Sequence, residues 1–120
     1  MIRGDIEIRP SCCSGLEGWW EWRHFLQGGE SPWMGHDPGG LAERVDDRVI
    51  IWSDGAMTPD RIGPSISVSE AEFETALALA EGRISTFFDA LPIWLDAVGR
   101  PDAMDVVEKV RREFRINAGP

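Results

Sequence analysis

The sequence predicts an α+β fold: a small, mainly antiparallel sheet of three or four strands, packed against an N-terminal helix and a helical C-terminal half. Three observations carry this. Short apolar runs with strand character fall at 2–8, 41–53 and 65–68, and period two is the strand signature. One amphipathic stretch of helical period lies between the first run and the second. From Ser69 onward, apolar residues recur every three or four positions almost to the end, as on the buried face of a helix. Strand, helix, hairpin, strand and then helices is the order of α+β rather than of alternating βα units. At 120 residues, the chain is expected to form a single domain over 1–120.

The elements follow in turn. Ile2, Ile6 and Ile8 alternate with Arg3, Asp5, Glu7 and Arg9, which predicts one strand with a wet face. Residues 16–27 read as a helix ended by Gly28 and Gly29. Its wheel gathers Leu16, Trp19, Trp20, Trp22 and Leu26 on one arc and sets Glu17, Glu21 and His24 opposite. Arg23 falls inside the apolar arc and so calls for a carboxylate partner or an escape to solvent.

After a loop at 28–40, runs at 41–45 and 48–53 flank Asp46–Asp47, a hairpin turn. Val49-Ile50-Ile51-Trp52 is apolar on both faces, which predicts a central strand covered on both sides. A polar loop over 54–60 leads to a short strand around Ile66 and Val68. Ser69-Glu70-Ala71-Glu72 is a capping box. The stripe Phe73, Leu77, Ala80, Ile84, Phe87, Leu91, Trp94 and Val98 follows it. A straight helix of that length spans roughly 40 Å, which predicts a break just before Pro92 in a compact domain. A last helix over 101–115 buries Val106, Val107, Val110 and Phe114.

Charge narrows the functions. Twenty-one acids against twelve bases give a net charge of −9. Nucleic acid and anionic membrane surfaces both select a positive footprint, so neither is expected as partner; a basic protein is. No run approaches the length of a membrane span. The acids in MIRGDIEIRP do not suit a signal peptide, so a cytoplasmic protein is expected.

Chemistry has few candidates. SPWMGHDPGG at 31–40 holds His36 beside Asp37, a possible general base and partner. Neighbours in an extended chain point apart, which works against that dyad. Cys12, Cys13, His24, His36 and Asp37 are ligand types suited to zinc, but neither C-x-x-C nor H-x-x-x-H occurs. The adjacent cysteines are expected as small buried residues at a strand end. No cofactor is expected, and no G-x-S-x-G or phosphate loop is present.

Binding has more. Tryptophan is abundant, with six against no tyrosine, and exposed tryptophan anchors interfaces. Trp33 on the loop and whichever of Trp19, Trp20 or Trp22 faces outward are the candidates, with His36 beside Trp33. Asp46, Asp47 and Asp54 fall at the ends of the central strands, and Glu70 and Glu74 border the long helix. Together they predict an acidic patch that steers a basic surface into contact.

PWMGHDP at 32–38, VIIWSDG at 49–55 and the helical C-terminal half resemble small bacterial cytosolic proteins of the polymorphic-toxin immunity type. The resemblance lies in layout and carries no functional residues across. It implies a non-enzymatic inhibitor that caps a basic toxin or effector. The alternative is a small enzyme or metal-binding protein using His36, Asp37 and His24.

Overall fold

The N-terminal segment is a miniature hairpin rather than one strand. β1 (Ile2–Arg3) pairs antiparallel with β2 (Ile6–Glu7). The turn between them holds Gly4 at φ +61, a left-handed conformation that glycine adopts without penalty. Alternating isoleucines masked that turn. The amino terminus donates to the Ile8 carbonyl at 2.6 Å, and Ile8 N–H donates back to Met1 at 2.7 Å. Ile8 is buried and Ile2 faces out.

The computed structural model describes residues 1–55 and 61–116; residues 56–60 of the expected polar loop lie outside the described residues. A 3-10 turn (Leu16–Trp19) leads directly into α1 (Trp20–Leu26). Gly28 N–H bonds the Phe25 carbonyl and Gly29 N–H that of His24, the paired stop that a glycine after a helix allows.

β3 (Leu41–Val45), β4 (Arg48–Asp54) and β5 (Ile62–Ser69) form an antiparallel sheet in that order. The register sets Ala42 opposite Ile51 and Ile51 opposite Ile66. Asp46 turns the first hairpin at φ +55, which a short polar side chain tolerates. One face of the sheet buries Ala42, Val49, Ile51 and Ile66 against Ile8, Phe25 and Met34. Trp22, Leu26 and Phe73 from the helices join the same cluster. On the opposite face Ile50 and Trp52 are only half-buried, so the expectation of cover on both sides is corrected. That face interleaves with Ser65 and Ser67, whose hydroxyls suit water rather than a second layer.

α2 (Glu70–Ala97) starts where the capping box places it: Ser69 Oγ accepts from Glu72 N–H at 3.1 Å. It then runs unbroken through Pro92 for 28 residues, about 42 Å. The expected break is therefore corrected. It rested on compactness, and the molecule is elongated, at 51 × 28 × 27 Å. α2 overshoots the sheet, and α3 (Ala103–Glu113) folds back along its C-terminal part. Proline costs one ladder bond, and Phe88 and Leu95 anchor the helix on either side of it by burial.

A second correction concerns the buried stripe. Leu77 and Ile84 are buried as the spacing predicts, but the stripe then shifts by one residue to Phe88 and Leu95. Phe87, Trp94 and Val98 face out. α3 sets the new direction. Its Val110, with Phe114 just beyond its end, packs with Phe88, and the Phe88 and Phe114 rings meet edge to face at 5.3 Å. The two hydrophobic clusters share Trp22, Leu26 and Phe73. No helix among the described residues is long and apolar enough to cross a membrane.

Candidate functional site

The 31–40 loop is held against the turn that follows β2. Ser11 N–H donates to the Met34 carbonyl at 2.7 Å, and His36 N–H donates to the Cys12 carbonyl at 3.0 Å. The Ser11 hydroxyl also reaches the His36 carbonyl, and Ala42 N–H donates to Ser31 Oγ at 2.9 Å. Gly35 makes the close approach possible. It sits at φ +104, and a Cβ there would come within 2.5 Å of the Ser11 carbonyl group. The Asp37–Pro38 peptide is cis. Pro32, Met34, Gly39 and Gly40 turn inward, while Trp33, His36 and Asp37 stand exposed.

Trp33 is 50% exposed yet fixed from two sides. Its backbone N–H donates to Glu21 Oε2 at 2.9 Å, and its ring meets the His36 ring edge to face at 5.2 Å. It forms a wall common to two surface cavities. One, of about 350 Å³, is lined by Cys13, Glu17, Trp20, Glu21, Trp33 and Arg115 among others. The other, of about 460 Å³, is mainly apolar, with Leu16, Trp19, Trp22, Phe73 and Leu77 facing Trp33. The Arg115 guanidinium lies 3.4 Å over the Trp20 ring, so the first cavity combines aromatic walls with both signs of charge.

The other expected binding residues divide. Asp46 and Asp47 are exposed on the hairpin turn, and the Asp47 carbonyl accepts from Glu70 N–H at 2.7 Å. That bond brings the three acids to one corner. They do not form the bare acidic face that the sequence suggested. Glu70 pairs with Arg44 at 3.0 Å, and Arg23 binds both Glu74 and Glu81. The hydrogen bond that Arg23 donates to Glu74 raises the Arg23 pKa above its ordinary value, and the half-buried cation finds the carboxylate its position demanded. Asp54 stands at the other end of β4, about 20 Å along the strand. There Gly55 N–H donates to the Gly39 carbonyl at 3.2 Å, placing Asp54 at the foot of the 31–40 loop.

Glu17 and Glu21 are the site residues that the sequence reading did not assign to binding; Trp20, one of the three helix tryptophans offered as anchors, joins them on the cavity wall. The signal was present: Glu17 and Glu21, four apart, share one side of the helical segment. Only the fold could show that Trp33 lands beside them.

The histidines stand on different tryptophans. His24 meets Trp20 at 5.4 Å between ring centroids, and His36 meets Trp33. Among the described residues, no group of three or more His, Cys, Asp or Glu side chains is placed to hold a metal ion. Cys12 and Cys13 are exposed, not buried as expected, with their sulfurs 3.0 Å apart. β2 ends at Glu7, so they fall on a surface turn with Cys13 at φ +73. Their mutual hydrogen bond raises the Cys13 pKa.

No protein-family model, curated protein or solved structure matches the chain.

Proposed function

We propose that the protein is a non-enzymatic binding protein, most specifically an immunity- or antitoxin-like inhibitor that caps a basic toxin or effector in the cytoplasm. The observation that carries the reading is Trp33: a half-exposed indole on a loop pinned by backbone hydrogen bonds, beside Glu17, Glu21 and His36. A large aromatic held rigid before binding loses little entropy on docking, and such residues dominate interface energetics. The net charge of −9 supports a basic partner, since complementary fields raise encounter rates. Asp46 and Asp47 would act in steering. Glu70 and Glu74, already paired with arginines, would contribute less.

The test is a binding titration against the product of the neighbouring gene, which this reading expects to be a basic toxin. Trp33→Ala should weaken the complex about 30-fold or more. The pair Asp46→Lys and Asp47→Lys should lower the association rate and flatten its dependence on salt. An affinity that Trp33→Ala leaves unchanged removes Trp33 as anchor, and absence of any complex with that product removes the inhibitor reading.

A further inference from the structure

α2 carries a second apolar face that the fold leaves uncovered. Leu79, Phe87, Ile93, Trp94 and Val98 are each more than half exposed, with Ile93 at 75% and Trp94 at 60%. At 100° per residue Leu79, Ile93 and Trp94 lie well away from buried Leu77, Ile84, Phe88 and Leu95, and Phe87 and Val98 fall between the two arcs. Within the exposed arc, Leu79, Arg83, Thr86, Ala90, Ile93 and Ala97 follow steps of four and three. That is the spacing of a seam between two helices. Phe87 and Trp94 flank it on one side.

From this face we infer that the protein forms a homodimer in which α2 pairs with α2 of a second copy, antiparallel and two-fold symmetric. Three features of the chain favour a second copy as the occupant. The first is area. The five exposed side chains amount to roughly 500 Å² of apolar surface, taking about 150–250 Å² for a whole aromatic side chain. A stable interface buries about 800 Å² per partner, and the seam's Thr86, Ala90, Ala97 and the stem of Arg83 supply much of the rest.

The second is fit. With the two-fold axis between Thr86 and Ala90, Leu79 meets Ala97 and Thr86 meets Ala90, large against small and small against small. The same register sets Arg83, the one charged residue of the seam, opposite Ile93 and within reach of the Trp94 ring, where a guanidinium stacks favourably.

The third is charge. Arg83 lies on the seam itself. Parallel two-fold pairing would set it against Arg83 of the second copy, whereas antiparallel pairing keeps the two like charges several turns apart.

Sedimentation velocity across about 1–300 μM, which brackets a micromolar dissociation constant, tests the inference. The wild type should shift from 13.4 kDa toward twice that mass. Ile93→Asp should raise the dimer dissociation constant about 30-fold or more and leave the helical circular dichroism unchanged, because the side chain is solvent-facing. Orientation is read by cross-linking in a Cys12→Ser, Cys13→Ser background. Leu79→Cys combined with Ala97→Cys should form an intermolecular disulfide, and Leu79→Cys alone should not. A wild type that stays monomeric throughout, or a dimer that Ile93→Asp does not weaken, overturns the inference. Cross-linking through Leu79→Cys alone overturns the antiparallel arrangement.

Discussion

The indole N–H of Trp19 donates to the carbonyl of Phe114 at 2.6 Å, a bond between residues 95 apart in the chain. It ties the start of the first helical segment to the turn that ends α3. Around it Trp19, Leu77, Ile84 and Phe88 form the buried centre of the second cluster. Arg115, one residue later, closes over Trp20. The two ends of the helical layer are thus joined by one directed bond and one stacked cation.

Trp19→Phe keeps most of the buried ring and removes the donor to the Phe114 carbonyl, a part-buried bond. Losing such a hydrogen bond costs about 0.5–1.5 kcal/mol. The variant should therefore unfold at a lower urea midpoint with an unchanged slope. A midpoint equal to that of the wild type counts against the bond as a source of stability.

Phe87 and Phe88 are adjacent yet have opposite surroundings: 54% and 0% exposed. Phe88→Ala should cost about 3–5 kcal/mol, as a large core deletion does. In dilute protein, Phe87→Ala should stay within about 0.5 kcal/mol of the wild type, like other surface changes. Thermal or urea unfolding of both decides which residue the core holds. The reverse ranking would restore the stripe that plain spacing suggests.

Glu43 gives the fold an acid-sensitive element. The hydrogen bond from Arg61 holds its carboxyl below the ordinary glutamate value, burial opposes this, and the Trp52 N–H assists it. A depressed folded-state pKa means that the contribution is complete above the ordinary glutamate value and lost as pH falls through the depressed one. Glu43→Gln should be less stable than the wild type at neutral pH by about 0.5–1 kcal/mol, the scale of a partly exposed pair. The gap should close on acidification. Unfolding midpoints that remain equally far apart at acid pH would sink this account.

Much of the fold was legible because it follows from local chemistry. The Asp46–Asp47 turn, the Ser69 cap, the glycine stop after Gln27 and the partner required by Arg23 each depend on a few neighbouring residues. Pro92 and Phe87 were misread for a different reason. Whether a helix continues through proline, and which of two adjacent aromatics is buried, depends on where α3 lies. That position is set by contacts tens of residues away. The candidate site divides in the same way: the exposure of Trp33 is a property of its loop, but its proximity to Glu17, Glu21 and Trp20 exists only in the tertiary arrangement. The cysteines were misplaced because a glycine turn shortened the strand before them.

The overshoot of α2 also governs how the molecule rotates. A body of 51 × 28 × 27 Å spins about its long axis faster than it tumbles end over end. Only that axis accommodates a helix of about 42 Å, so the amide bonds of α2 point along the slow direction. Strand amides point perpendicular to their strand within the sheet, so those of any strand running along the long axis point across it. Nitrogen relaxation in solution therefore carries an orientation signature, with α2 amides reporting a longer apparent correlation time than amides set crosswise. A break at Pro92 would scatter that signature between two directions within a single helix.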